Sequence, residues 1–244
     1  ERGSIYDVDF IFYPDWQARM AEVDAGLYEI DHLTHNVHRG NMNLWSNFYE
    51  RIGNFREIRY FDIEGKLTGL HSRAMTAPCG KIRIPINESA DDKSQIEEYL
   101  RQYKGEGIQH IALASADIYH TIRTLRGRGT GFMPTPDTYY EKVDSRVAGH
   151  QEDLAALKTL RILIDGSPTK DGILLQIFTD TVIGPVFFEI IQRKGNEGFG
   201  EGNFQALFES IELDQIRRGV LDGSTQGEVN SAAQGQKNGE PSDA

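Results

Sequence analysis

Alternating apolar and polar positions predict the strands of this chain, and one strand contains a chemical conflict. Residues 185–193 (PVFFEIIQR) are almost wholly apolar, yet Glu189 stands in their middle. Strand alternation places Phe187, Glu189 and Ile191 on one face. A carboxylate between apolar neighbours is costly to bury unless a cation or a dense set of hydrogen bonds receives it. The pattern therefore predicts that Glu189 faces a cation.

Two further predicted strands each carry a histidine near their start. Residues 30–37 contain His32 and residues 107–113 contain His110, and a helix-like stretch follows each strand. Two imidazoles and one carboxylate form the facial triad that suits non-haem Fe(II), with positions left open for substrate and oxygen. A lone strand histidine is more commonly a hydrogen-bonded core residue, so spacing alone does not decide between the two interpretations.

The predicted elements occur twice in the order strand, helix, strand, strand, strand. Apolar residues of the first helix recur at helical spacing, and glycines or prolines separate the strands. The first copy comprises strand 28–37, helix 41–52 and strands 55–63, 67–75 and 81–87. An amphipathic helix ending at residue 103 leads to the second copy. The second copy comprises strand 106–114, a helix at 117–127 capped by Asp117, an insertion at 134–161 and strands 161–165, 173–179 and 185–193.

The two copies align at landmark residues. Gly80 and Gly184 both precede the last strand of their copy, and Pro85 and Glu189 stand five residues after these glycines. The second copy therefore offers two ligands, His110 and Glu189, and the first copy offers one, His32. Pro85, which stands where the second copy has Glu189, has no side-chain atom that can bind a metal. Three protein ligands with open coordination indicate a catalytic metal site rather than a structural one.

The remaining segments flank this repeat. Residues 4–13 are predicted to form a strand, and residues 16–26 a linker or short helix. A glycine-rich hinge at 195–203 precedes an apolar helical stripe, with Asn203 as its N-cap; this helix is either core or the cover of a pocket. The predicted division is a linker at 1–27, a catalytic domain at 28–221 (modules 28–103 and 106–193, lid helix 203–218) and a disordered tail at 222–244.

Composition excludes several classes of function. The net charge of −11 argues against a nucleic-acid-binding surface, which needs clustered lysine and arginine. No apolar run is long enough to span a bilayer, so no membrane association is expected. A single cysteine, Cys79, permits no internal disulfide and favours a reducing, cytoplasmic setting. The chain does not begin with methionine, which indicates a piece of a longer protein.

Local motifs add a specific resemblance. Asp31-His32, GEGIQH at 105–110, LLQIF at 174–178, FFEIIQR at 187–193 and GFGEGNF at 198–204 closely resemble the 4-hydroxyphenylpyruvate dioxygenase family, which has the vicinal-oxygen-chelate fold. The resemblance runs from about residue 4 to residue 221. It implies an α+β fold in which two βαβββ modules form an open, half-closed β-barrel around a metal, with a C-terminal lid helix. It also implies that this chain is the catalytic C-terminal part, without the family's N-terminal domain.

The resemblance assigns roles to individual residues. It implies Fe(II) ligands at His32, His110 and Glu189. The implied catalytic and substrate-binding residues are Ser72, Asn87, Gln95, Gln109, Gln176, Phe178, Phe187, Phe199, Asn203, Phe204 and Phe208, of which the last four lie on the lid. Strand alternation would turn Gln109 away from His110. A buried amide among the apolar neighbours of Gln176 needs partners, which favours a role in the pocket.

The implied reaction joins O2 to a 2-oxo acid. In that family 4-hydroxyphenylpyruvate is decarboxylated oxidatively, its ring is hydroxylated, and the side chain migrates to give homogentisate, a step of tyrosine catabolism. Three alternatives stay open: 4-hydroxymandelate synthase, which hydroxylates the benzylic carbon of the same substrate; a metal-free binding module of the same fold; and a fragment that is inactive alone. The expected partners are a small 2-oxo acid, O2 and further copies of the chain in a homo-oligomer.

Overall fold

A computed structural model describes residues 4–64, 69–92 and 94–207. Its strands form one curled, mixed eight-stranded sheet with helices packed against it. The strands are β1 Leu27–Val37, β2 Arg56–Glu64, β3 Gly69–Thr76, β4 Arg83–Ser89, β5 Gly107–Ser115, β6 Leu163–Ser167, β7 Gly172–Phe178 and β8 Phe187–Lys194. The helices are α1 Ile5–Asp9, α2 Trp16–Val23, α3 Met42–Gly53, α4 Gln95–Tyr103, α5 Ile118–Gly127, α6 Asp137–Tyr140, α7 Val143–Arg146 and α8 Leu154–Leu160.

The predicted repeat is confirmed by the order of the strands in the sheet. This order is β2-β3-β4-β1-β5-β8-β7-β6, so that each half contains one βαβββ module. The first strand of each module is parallel to the last strand of the same module, and β1 and β5 join the halves as an antiparallel pair. The joint therefore brings β1, β5 and β8 side by side. These are the strands that carry His32, His110 and Glu189.

Local chemistry explains where the helices begin and end. The Asp117 carboxylate accepts a hydrogen bond from the backbone N–H of His120, which confirms Asp117 as the N-cap of α5. Ser94 caps α4 in the same way through the N–H of Glu97. At the end of α3, Asn54 adopts a left-handed conformation and its N–H closes the last turn. Helix α3 therefore stops before β2.

Two of the three irregularities in the pairing of β1 with β5 lie beside the predicted ligands and change the alternation of side chains there. Asp31 is an extra residue of β1 between two successive cross-strand pairs, and Gln109 is an extra residue of β5. Such a β-bulge lets neighbouring side chains depart from the strict up-down pattern of a strand. The prediction from plain alternation that Gln109 points away from His110 therefore does not apply at this position.

Apolar clusters cover the outer face of the sheet and hold it in place. The larger cluster joins the strands of the second module to α5 and to the helical insertion of the same module. Its fully or almost fully buried members include Ile122, Tyr139, Leu157 and Ile190. A smaller cluster lies between the first module and α3. Gln192, on the outer face of β8, accepts a hydrogen bond from the N-terminus of α5. The inner face carries the polar residues of the site together with Phe187 and a small apolar cluster of Ala112, Leu174 and Ile191.

Some predictions for the N-terminal and C-terminal parts of the chain are wrong, and others concern residues outside the described ranges. The strand predicted at 4–13 is wrong, because Ser4 caps the short helix α1, whose residues are exposed and have no strand beside them among the described residues. Asn203 is not an N-cap, because helical conformation already begins at residue 201. Phe208, the remainder of the predicted lid helix and the tail lie outside the described residues. Within the described ranges, no helix is long and apolar enough to cross a membrane.

Candidate metal centre and surrounding pocket

Three side chains from three adjacent strands converge at the joint between the modules. The ligating atoms of His32, His110 and Glu189 all lie within 4.8 Å of one another. Glu189 Oε2 is 3.3 Å from His32 Nε2 and 3.3 Å from His110 Nε2. Ala112 stands between His32 and Glu189 as the cross-strand partner of both, and its small side chain leaves room for the two larger ones. The three residues predicted as ligands are thus brought together.

The charges of this group fit a bound cation. Glu189 is 1% exposed, and its Oε1 has no hydrogen-bond partner among the described residues. Burial raises the pKa of Glu189, but the charge of His32 and the hydrogen bonds from both histidines lower it to about 2. Glu189 is therefore an anion in an almost closed site. An unsatisfied buried carboxylate oxygen beside two imidazoles is a donor set that a divalent metal completes.

The environments of the two histidines differ. His32 donates from Nδ1 to Asp31 Oδ1 at 2.8 Å, which directs Nε2 towards Glu189. Burial lowers the pKa of His32, but Glu189 and Asp31 outweigh this effect and raise it above the ordinary value. For His110, burial lowers the pKa and the contact with Glu189 compensates only in part. Asp31 reaches His32, its immediate neighbour, from the bulge in β1.

Arg193 completes the support of His32 and is a residue that sequence reasoning missed. Its Nε and Nη2 each donate to one oxygen of Asp31 at 2.7 Å. Burial alone would raise the pKa of Asp31, but the hydrogen bonds and charge of Arg193 hold it well below its usual range. Its position in the sequence could have identified Arg193, because it follows Glu189 by four residues and therefore lies on the same face of β8.

Aromatic rings enclose the metal-facing side of the histidines. The ring of Phe187 stacks on His110 with centroids 5.0 Å apart, and Phe178 meets both rings edge-on. Phe199 lies edge-on to His32 at 5.1 Å. Rings packed in this way have little freedom to rotate, so they form rigid apolar walls against which another planar ring can stack.

Two predicted polar residues, Ser72 and Asn87, line the inner face, and two more, Thr34 and Asn36, were missed. Ser72 and Asn87 are cross-strand partners, and Asn87 is in turn the partner of Asn36. Asn36 is fully buried, yet neither atom of its amide has a hydrogen-bond partner among the described residues. Thr34 Oγ1 lies 2.8 Å from His110 Nε2. Alternation from His32 was the signal for both missed residues, because positions 34 and 36 share its face.

Gln176 lies beneath the segment that leaves the sheet. Its side chain is 1% exposed, and its Oε1 has no partner in the described part of the chain. A Cβ added at Gly200 would overlap the Gln176 amide, so the two groups are in close contact. We call residues 196–207 the closing segment. At its helical end Asn203 is buried and accepts a hydrogen bond from the hydroxyl of Tyr139 at 2.6 Å, while Phe204 is half-buried.

Two predicted residues are less closely tied to the triad. Gln95 begins α4 with an exposed side chain, and no contact between Gln95 and the triad occurs among the described residues. Gln109 is half-buried and directly precedes His110 in the bulge. The pocket roles of both residues stay predictions.

Comparison with known proteins agrees with this geometry. The model of the glyoxalase/bleomycin resistance protein/dioxygenase superfamily matches residues 29–144. Over these residues the chain is similar to this superfamily. Its expected vicinal-oxygen-chelate fold is thereby confirmed.

Two named relatives resemble the chain over most of its length. A protein of Vibrio vulnificus named "Hemolysin VllY" is 80% identical over 91% of this chain and 62% of its own length. A 4-hydroxyphenylpyruvate dioxygenase of Pseudomonas aeruginosa is 75% identical over 89% of this chain and 60% of its own length. The chain therefore spans about three fifths of these relatives.

A solved structure shares the fold. A mutant of 4-hydroxymandelate synthase from Streptomyces coelicolor is 30% identical with a TM-score of 0.66, over 76% of this chain and 54% of its own. This relative is named as a synthase and the Pseudomonas relative as a dioxygenase, so the shared fold alone does not decide the reaction.

Proposed function

We propose that this chain is the catalytic part of an Fe(II)-dependent dioxygenase that converts 4-hydroxyphenylpyruvate and O2 to homogentisate and CO2. The convergence of His32, His110 and Glu189 inside an aromatic pocket carries this proposal. A relative 75% identical over 89% of the chain has the name of this enzyme. The names of these relatives imply a small-molecule substrate, whereas the cytoplasmic location and a homo-oligomer are further proposals that rest on the sequence.

The triad residues would hold the metal. Fe(II) bound there would supply the redox chemistry that activates O2 and decarboxylates a chelated 2-oxo acid. His32, His110 and Glu189 would hold the metal through three atoms and would leave its other coordination positions to the substrate and O2. Thr34, at 2.8 Å from His110 Nε2, adds a hydroxyl close to the same atoms. Asp31 keeps the proton of His32 on Nδ1, so that Nε2 stays available.

The walls of the pocket would orient the substrate ring. Phe178 and Phe187 present apolar faces beside His110, against which a phenol ring can stack. The amides of Gln176, Asn87 and Asn36 would bind the phenol and carboxylate oxygens. Phe199 and the closing segment would exclude water, which protects a reactive oxidant from side reactions.

The deciding experiment separates binding from reaction. The chain is loaded with Fe(II) without oxygen, 4-hydroxyphenylpyruvate is added, and the visible charge-transfer band of a chelated 2-oxo acid is recorded. Oxygen is then admitted and the product is identified. A band followed by homogentisate supports the proposal. Absence of the band contradicts the metal site, and a band without any oxidised product contradicts the dioxygenase activity of this chain.

4-Hydroxymandelate synthase is the second candidate, favoured by the structural match at a TM-score of 0.66. The triad would serve either reaction, and the residues around the ring would determine which carbon is hydroxylated. Hydroxymandelate as the product of the experiment above would assign this function instead. The higher identity to a dioxygenase, 75% against 30%, favours homogentisate.

The relative named as a haemolysin aligns with the same part of the chain as the dioxygenase does. Two relatives with different names therefore share this part of the chain. An erythrocyte lysis assay with the wild-type chain and Glu189→Gln separates them: we expect no lysis from either protein. Lysis that Glu189→Gln retains would show an activity that is independent of the metal site.

A further inference from the structure

Arg193 connects two parts of the site that are far apart in the sequence. Towards β1 it holds both oxygens of Asp31, at 2.7 Å each. Towards the closing segment, Nη1 donates to the carbonyl oxygens of Asn196 and Gly198, at 3.0 Å and 2.6 Å. Its guanidinium carbon also lies 5.9 Å from the centre of the Phe199 ring. The side chain is 14% exposed, so water replaces few of these contacts.

Both ends of this chain of contacts return to His32. Asp31 accepts the hydrogen bond from His32 Nδ1, and Phe199 lies edge-on to the His32 ring. A cation bound at Nε2 makes the Nδ1–H more acidic and strengthens its hydrogen bond to Asp31. Because Arg193 binds the same carboxylate, the position of its guanidinium depends on whether His32 binds a cation. The same guanidinium also binds backbone carbonyl groups of the segment that contains Phe199.

We propose that Arg193 is a positioning residue that couples metal binding at His32 to closure of the segment 196–207 over the pocket. The proposal rests on the metal site of the proposed function but not on the reaction catalysed there. Coupling is reciprocal: a metal that favours the closed segment is itself bound more tightly when the segment is closed. An enzyme built in this way would open its metal site to solvent only while the metal is absent or loosely held.

The geometry of arginine is required for this role. Its planar fork donates to both oxygens of Asp31 and still directs another N–H at the backbone carbonyls. A lysine keeps the positive charge but cannot make these contacts at the same time. Arg193→Lys therefore tests the geometry while it preserves the charge balance of Asp31.

The chain offers a matched control in Arg83. Its Nη2 contacts Glu197 of the same segment at 2.7 Å, but it makes no contact with Asp31 among the described residues. The carboxylate of this pair is 61% exposed, so the pair adds little stability. Arg83→Gln therefore removes an arginine contact to the closing segment and leaves the support of His32 intact.

The experiment measures hydrogen–deuterium exchange of peptides from the closing segment, with and without saturating Co(II). In the wild-type chain we expect Co(II) to slow exchange by about 5- to 150-fold, the usual range of coupling between sites. Arg193→Lys should bind Co(II) about 10- to 100-fold more weakly, as is typical when the support of a metal ligand is lost. At saturation Co(II) should no longer slow exchange in this variant. Arg83→Gln should exchange faster in both states and keep the full effect of Co(II).

Each other outcome overturns the coupling. If Co(II) slowed exchange equally in wild type and Arg193→Lys, a contact other than that of Arg193 would carry the coupling. Tight Co(II) binding without protection in the wild type would show that closure is independent of the metal, while the metal site stands. No Co(II) binding at all would refute the metal site and the coupling together. If Arg193→Lys does not fold, Asp31→Asn, which weakens the same link from its other end, replaces it with the same expectations.

Discussion

At the residue scale, the chemistry of the site depends on buried polar groups without partners. Glu189, Asn36 and Gln176 each have at least one buried oxygen that no hydrogen-bond donor of the described residues reaches. Such groups are rare, because leaving one unsatisfied costs about 1–3 kcal/mol. All three lie on the inner side of the sheet, where a metal and a polar substrate can satisfy them. The cost in stability is thus concentrated where binding takes place.

Removing the charge of Glu189 should abolish turnover. Glu189→Gln keeps the size of the side chain but takes away the carboxylate that contacts both histidines. We expect a loss of metal affinity, measured by Co(II) titration, and no product. Glu29→Gln, at an exposed position of β1, is the control and should behave like wild type. Undiminished turnover of Glu189→Gln would refute the triad.

Replacement of Asn36 by leucine should separate binding from stability. The unsatisfied amide contributes no hydrogen bond in the free protein, so Asn36→Leu should leave Tm unchanged or raise it. If the substrate satisfies this amide, KM should rise by about tenfold, which corresponds to one hydrogen bond of about 1.4 kcal/mol. Asn203→Leu is the contrast, because it removes a hydrogen bond with Tyr139 and should lower Tm. An unchanged KM for Asn36→Leu would exclude contact with the substrate.

At the scale of single elements, small departures from regular structure place the functional groups. The bulge at Asp31 allows its carboxylate to reach the neighbouring His32, whereas consecutive residues of a regular strand point to opposite faces. The turn before the helical end of the closing segment requires glycine, because Gly200 has a φ of +77° and faces the Gln176 amide. Neither feature belongs to the regular strand or helix pattern.

Gly200→Ala should disturb the pocket through Gln176. The substitution introduces a left-handed alanine, which costs about 1–2 kcal/mol, and a methyl group that overlaps the Gln176 amide. Gly149→Ala has a similar φ of +81° with no atom near the added methyl, so it isolates the backbone effect. We expect comparable losses of Tm and a clear fall in kcat/KM for Gly200→Ala alone. Equal kinetics of the two variants would show that Gln176 is not involved.

The packing of α3 on β1 should make stability depend on pH. Burial lowers the pKa of His35 from 6.5 to about 4, and the charge of Glu106 offsets this only in part. Between pH 6.5 and pH 4 the unfolded chain takes up this proton before the folded chain does. The free energy of unfolding should therefore fall by about 3 kcal/mol through this group as the pH drops.

The measurement is the slope of the free energy of unfolding between pH 6.5 and pH 4. His35→Gln should flatten this slope relative to wild type, whatever its effect on absolute stability. His120→Gln, at an exposed position of α5, should leave the slope as it is. An identical slope in His35→Gln and wild type would show that His35 is not held neutral in the folded protein.

At the scale of the whole molecule, two similar modules form one unsymmetrical site. Their first strands pair with each other, and each module places its last strand beside its own first strand. The position of Glu189 in the second module corresponds to the buried Pro85 in the first. One half of the barrel therefore offers two candidate ligands and the other half offers one. A metal held by these three residues would leave its other coordination positions to substrates.

A larger residue at Ala112 should push the two halves apart. Ala112 is fully buried between His32 and Glu189, so Ala112→Val adds two methyl carbons where no space exists. We expect a loss of about 1–3 kcal/mol of stability and weaker Co(II) binding. Ala74→Val, at an equally buried position of the first module, should cost similar stability but leave Co(II) affinity unchanged. Unchanged affinity in Ala112→Val would show that the joint tolerates the extra volume.

The repeat, the strands of the joint and the three residues that converge there could all be predicted from the sequence. This was possible because alternation and a carboxylate in an apolar strand are local signals. The local pattern misled at residues 4–13, where apolar residues occur without a partner strand among the described residues, and at Asn203, where the helix starts earlier.

The support of His32 and the lack of partners for the Asn36 and Gln176 amides became visible in the folded chain. Arg193 and Asp31 are 162 positions apart, and no periodicity links them. Asn36 resembles any polar strand residue until its neighbours on β4 and β5 are known. The physical reason is that hydrogen-bond satisfaction and charge pairing depend on contacts between distant parts of the chain, whereas strand and helix patterns depend on near neighbours.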